Sequence, residues 1–275
     1  MYGSSQWRNQ KTVTERINEH LKTHGLKKWG FVIYRCTYGD DAAWERFMAH
    51  WREQTLRSLT YLEHGAVLDG KESEYWTRSW TEELPISFSP EADQEAIDTL
   101  AWTVHEDPSL KGVSKDEVRR RFRHWVTHDI KNDTTEGNLT TSDTANLENA
   151  RFNFCIHIDA ASLSSLPAAL PADTYFDKSY VNLIYARGGW PYPDFSTYDW
   201  STYKTPEIDT AEYDEFESSD AFWDEEEPEV EGSRLSDVGW MKFETDSLLP
   251  GFYEMLNKGH NWYHMYRRPP KVGSL

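Results

Sequence analysis

Apolar positions change period along the first sixty residues, and each change marks an element. Val13, Ile17 and Leu21 are four apart and share one face of a helix over residues 12–24. Thr12 and Glu15 have the spacing of a capping box, and Gly25 can end the helix in the left-handed conformation. The run WGFVIYRCTYGDD follows, and the apolar, β-rich residues 30–38 predict a central strand. Asp40 can cap a helix over 41–59. There Trp44, Phe47, Met48, Trp51 and Thr55 repeat at helical spacing, while Glu45, Arg46, Arg52 and Glu53 face elsewhere.

Further along, residues 69–90 mix aromatics with proline and read as a loop with short extended pieces. Residues 91–104 read as a helix with Ala96, Ile97, Leu100, Ala101 and Val104 inward. Ser114 and Glu117 make a second capping box, opening a helix to about residue 130. Its inner face is Val118, Phe122 and Trp125, extending to Ile130, and its outer face is basic, with Arg119, Arg120, Arg121 and Arg123. A polar loop spans 131–149. Strands are predicted at 152–159, 180–186 and 237–244, then a short helix to 256 and a last strand or extended tail at NWYHMYR. This order predicts an α+β fold, an antiparallel or mixed sheet with helices packed on it. A ferredoxin-like core is the specific expectation. Residues 1–275 then form a single domain, with a helical insertion and polar loop at 91–149 and an acidic, largely irregular insertion at 205–234.

The string WGFVIYRCTYGDDAAWERFM resembles the opening of a large group of uncharacterised proteins from filamentous fungi. That group also has a later strand of the FCIHID type and a Gly-Trp-Met-Lys strand leading into a short helix, as in residues 239–256 here. The likeness covers both ends and the middle of the chain but not the acidic stretch; its first motif is specific and the later ones are loose. It implies a fungal intracellular protein and assigns no catalytic residue.

Charge narrows the partners. The net charge is −18, which disfavours nucleic acid and anionic membrane surfaces as partners, since both call for a basic face. Thirteen Asp or Glu and no Lys or Arg lie within 207–231, a block that repels itself into irregular chain. Tyr213, Phe216, Phe222 and Trp223 are interleaved there, so parts of the stretch are expected to dock on the body, and the acidic segment is also the place for a protein partner. Two cysteines, Cys36 and Cys155, sit in predicted strands and read as free, buried thiols. The polar start carries no signal sequence, no window approaches ~20 apolar residues, and the expected location is the cytoplasm.

The chain holds 13 Trp, 15 Tyr and 12 Phe, enough rings for a bulky core and for the walls of a ligand cavity. It has no G-x-G-x-x-G and no Walker A sequence, so no nucleotide cofactor is expected, and Gly188-Gly189 reads as a tight turn. His124 and His128, His157 and Asp159, and His260 and His264 have ligand-like spacings. Ten histidines produce such spacings by chance, and HWVTH lacks the glutamate of H-E-x-x-H, so no metal is expected. There is no G-x-S-x-G elbow. General acid–base chemistry needs no motif. His157 beside Asp159 on a strand, with Tyr34 on the neighbouring one, is the best local candidate for it. Arg35, Tyr185, Arg187 and Trp190 are the candidate ligand-binding residues around them. The competing reading makes His157 a core histidine bonded to backbone. Two functions follow. In the first, the chain binds a largely apolar or aromatic small molecule in an aromatic-lined pocket and rearranges it without a cofactor, as an isomerase, cyclase or lyase would. In the second, it is a non-enzymatic interaction module using its acidic segment and an aromatic surface.

Overall fold

The structure is a computed structural model, and it describes residues 11–64, 89–129, 133–134, 149–168, 178–186, 228–233, 235–259 and 261–275. Six strands form one mixed sheet: β1 (Val32–Arg35), β2 (Thr103–His105), β3 (Phe154–Ile158), β4 (Tyr180–Tyr185), β5 (Trp240–Glu244) and β6 (Val272–Gly273). Their order is β2-β1-β3-β4-β5-β6. β1 runs parallel to both β2 and β3, β4 is antiparallel to β3 and β5, and β6 is parallel to β5. The fold is therefore α+β with a mixed sheet. The ferredoxin-like core is not confirmed, because the first strand has parallel neighbours on both sides instead of the alternating directions of a β-α-β-β-α-β unit.

Among the described residues the α-helices are α1 (Val13–Thr23), α2 (Asp41–His64), α3 (Pro90–Thr99), α4 (Lys115–Asp129) and five short ones: α5 (Ala150–Asn153), α6 (Ala160–Ser165), α7 (Thr245–Ser247), α8 (Tyr253–Leu256) and α9 (Asn261–Met265). α1 opens on the predicted capping box, Thr12 and Glu15 each bonding the other's backbone N–H. α2 is capped by Asp40, whose carboxylate accepts from the Ala43 N–H at 2.9 Å. It buries Trp44, Phe47, Met48 and Trp51, as its periodicity predicts. Truncating one such ring to Ala typically costs ~3–5 kcal/mol.

Two predicted elements differ. The helix expected over 91–104 ends at Thr99, and Leu100 turns extended (ψ 122°). The chain then forms β2, so the 91–149 stretch contributes a strand to the sheet. Gly30 permits this close approach. Its φ is +98°, and a Cβ there would meet the Ala101 carbonyl at 2.8 Å. The expected last strand is α9, with the apolar Trp262, Met265 and Tyr266 at helical spacing and Trp262 fully buried.

Strand alternation sorts the side chains to two faces. Ile33, Arg35, Ile156, Leu183, Tyr185 and Phe243 point to one. There Arg35 meets Trp44 of α2, Phe243 stacks on Phe252, and Tyr185 meets Trp262. The other face carries Val32, Tyr34, Cys155, His157, Asn182 and Ile184 and is covered by α4. Register lines up a polar row across it: His105, Tyr34, His157, Asn182 and Lys242.

Arg151, fully buried, closes the amino ends of the parallel strands. Its guanidinium donates to Asp133 (2.8 Å), to the Gly30 carbonyl (2.8 Å) and to the Thr103 hydroxyl (2.8 Å), with the Trp125 ring 5.5 Å away. Among the described residues no helix is long and apolar enough to cross a membrane.

Candidate functional site

His157 and Tyr34 pair across β3 and β1, so the structure brings together two of the residues expected to carry chemistry. His157 is buried, and both its ring nitrogens are engaged. Nε2 lies 3.1 Å from the Val113 carbonyl, which can only accept, so Nε2 carries the proton. Nδ1 then accepts from the Asn182 amide at 3.2 Å. The Asn182 side chain also donates to Asp159 (3.0 Å) and lies 3.2 Å from the His157 carbonyl. Burial, then the nearby Lys115 ammonium, lowers the His157 pKa, which keeps the ring neutral.

Asp159 follows β3 and caps α6, accepting from the Ser162 N–H at 2.8 Å and its hydroxyl at 3.1 Å. Its carboxylate stands 3.9 Å from His157 Nδ1. Burial alone would raise its pKa. The Ser162 amide and hydroxyl and the Lys115 ammonium outweigh burial and hold it below the ordinary value. The expected dyad thus exists as a closed hydrogen-bonded group. Neither ring nitrogen is free to take a proton from a substrate, and the carboxylate is a weak base.

The aromatic walls expected around it are placed otherwise. Tyr34 stacks on His105 with ring centroids 4.9 Å apart. Tyr185 points to the opposite face from His157 and stacks on Phe154 at 4.8 Å. Arg187 and Trp190 lie outside the described residues. The basic outer face expected on α4 is also different. Arg119 and Arg123 are buried and donate to backbone carbonyls of Tyr185, Gly239 and Ala186, while Arg120 and Arg121 share Glu117. Those two cations hold the Glu117 carboxyl down at about 2. A surface hollow of about 520 Å³ lies along α3, lined by Pro90, Glu91, Gln94, Glu95, Asp98 and Thr99, away from His157. His124 and His128 stack with centroids 4.0 Å apart, and among the described residues no group of three ligating side chains could hold a metal ion.

Arg35 is the exception. It ends β1, and its guanidinium lies 4.8 Å from the ring centroids of both Tyr38 and Trp44. Nε donates to the Thr37 carbonyl at 3.1 Å, one terminal nitrogen meets Asp41, and the other is 3.6 Å from Glu106. The location is informative. The chain leaves β1 toward β2 on one side and leaves β3 toward β4 on the other, so connections diverge between the carboxyl ends of β1 and β3. Ligands of open sheets with parallel strands bind at such a divergence. Cys36, next along, is free and buried, with its thiol pushed up to about 12 by burial and by Asp159. Cys155 is likewise free and buried.

Sequence reading missed Asn182, whose signal was a lone amide inside the apolar run YVNLIYA, and Lys115, whose importance depends on a distant partner. Comparison with family models, with curated proteins and with solved structures gives no match to this chain.

Proposed function

We propose that the chain binds a small molecule at the carboxyl ends of β1 and β3 through an anionic group that meets Arg35. One observation carries this reading. The Arg35 side chain is only 7% exposed, while the two carboxylates facing it, Asp41 and Glu106, are 81% and 48% exposed. A guanidinium held between two rings is a pre-organised fork for carboxylate or phosphate. Surface carboxylates are bound weakly and can be replaced. The half-buried ring of Tyr38 offers a surface for an apolar or aromatic body, which keeps that class of partner in the proposal. Rearrangement of the molecule without a cofactor is the less supported part, because the closed His157–Asp159 group offers no free base. Two free buried thiols support a cytoplasmic setting. The interaction-module alternative has no observation in its favour here, since 207–227 lie outside the described residues.

The test is titration with succinate, benzoate and inorganic phosphate, followed by amide chemical shifts of wild type, Arg35→Met and the double variant Asp41→Asn/Glu106→Gln. Saturable shifts around residues 35–41 are expected for at least one probe. The double variant should bind about five to ten times more tightly because its internal competitors are gone, and Arg35→Met should lose the response. A folded double variant that responds to none of the probes would refute the proposal.

A further inference from the structure

We infer that Lys115 is a second oxyanion site, on the opposite face of the sheet from Arg35, and that Glu231 is an internal carboxylate occupying it. The site uses none of the residues that define the Arg35 site. Lys115 opens the 15-residue helix α4, whose amino end favours negative charge. Its side chain is 8% exposed, and its ammonium lies 4.1 Å from the ring centroid of the buried Trp240. The carboxylate paired with it belongs to Glu231, whose side chain is 50% exposed. A nearly buried cation therefore has its anion supplied by a residue half in solvent.

The turn that carries Glu231 is held by other bonds. Val230 and Ser233 bond each other's backbone at 2.9 Å in both directions. Arg268 donates to the carbonyls of Pro228 (2.6 Å), Ser233 (3.1 Å) and Leu235 (3.0 Å). Removing the Glu231 charge leaves those bonds intact and takes away the carboxylate in contact with the ammonium, with Asp159 as a nearby charge. A nearly buried cation that loses its contacting carboxylate favours another anion in that place. A carboxylate-bearing small molecule fits best, with its charged group on Lys115 and an apolar portion near Trp240. Glu231 then acts as a latch, because an occupied site is available to an outside ligand only for the fraction of time the latch is open.

Lysine selectively labelled with ¹³C in the full chain reads this out. The Lys115 ammonium lies over the Trp240 ring, so the signal of the ε-methylene bonded to it is expected to be displaced by the ring current and is identified by its absence in Lys115→Met. Succinate is titrated at constant ionic strength into wild type, Glu231→Gln and Arg35→Met. The expected result is a saturable shift of this signal in Glu231→Gln at a concentration about ten times lower than in wild type. Arg35→Met should match wild type, which separates this site from the other. Melting of Glu231→Gln is measured alongside. A folded Glu231→Gln protein with no response, or with the wild-type midpoint, overturns the inference. A large drop in melting temperature without any gain in binding also overturns it, since Glu231 would then be a structural anchor.

Discussion

The two ends of β1 are both closed by a buried arginine, and the arginines differ in where their counter-ions sit. At the amino end Arg151 and Asp133 are 1% and 4% exposed, and every arm of the guanidinium has a fixed acceptor. At the carboxyl end Arg35 is also buried, but Asp41 and Glu106 reach it from solvent. Desolvating a whole ion pair is expensive and is repaid only when the geometry is complete. Such a pair belongs to the architecture. A hidden cation with surface anions meets no such demand, and its partners can be exchanged. Burial of the cation says little by itself; burial of its anion separates scaffold from site.

The largest effect that could break this contrast is at Asp133. Asp133→Asn leaves Arg151 buried and charged without its carboxylate, and urea unfolding should show a loss of about 3–5 kcal/mol. A loss below about 1 kcal/mol would place Arg151 in the same exchangeable class as Arg35. The next effect is pH dependence, and it concerns two histidines of the closed kind. His20 bonds Asn149 at 3.0 Å, close to Arg151, and burial together with the neighbouring His24 lowers its pKa to about 4. His157 is lowered in the same direction, chiefly by burial. Below the ordinary histidine pKa of ~6.5 the unfolded chain binds protons that the folded chain refuses, so stability falls on acidification. For His20 the fall runs from there down to about 4. His20→Gln and His157→Gln should each flatten that part of a stability–pH curve; an unchanged slope in both would contradict the closed reading. The smallest effect is at the open end. Asp41→Asn and Glu106→Gln should each change stability by less than about 1 kcal/mol, as thermal melting at low salt can check.

Much of this was legible from residue order because it is local. The capping box of α1, the buried face of α2 and the strands β1, β3 and β4 follow from spacing over a few positions. β2 was hidden for the same reason. Its three residues follow α3 with no turn signal, and Leu100, Ala101 and Val104 continue the helical period by coincidence. Arg35 was legible as a candidate and is placed at the sheet's divergence. Its grouping with His157 failed, because neighbouring residues of a strand point to opposite faces, and Tyr34 is the one beside His157. The role of His157 was decided by groups far away in sequence: the Val113 carbonyl, Asn182 and Lys115. No local pattern announces them. The same holds for Asp133, which sits in a stretch that reads as polar loop and yet supplies the buried anion of Arg151.

The polar row across the sheet has a consequence for how the strands find one another. Hydrophobic alternation cannot tell a correct pairing from one slipped by two residues, since both keep the same side chains inward. Here His157 faces Asn182 and Tyr34. A two-residue slip of β4 would set Ile184 or Tyr180 against that ring instead, and the amide that satisfies Nδ1 would be carried away from it. Mispaired sheets would therefore bury a histidine nitrogen with no donor, a cost of roughly 1–3 kcal/mol, while the apolar contacts stayed nearly as good. The pairing of imidazole and amide works as a key cut into an otherwise apolar lock, and it favours one alignment of β3 and β4.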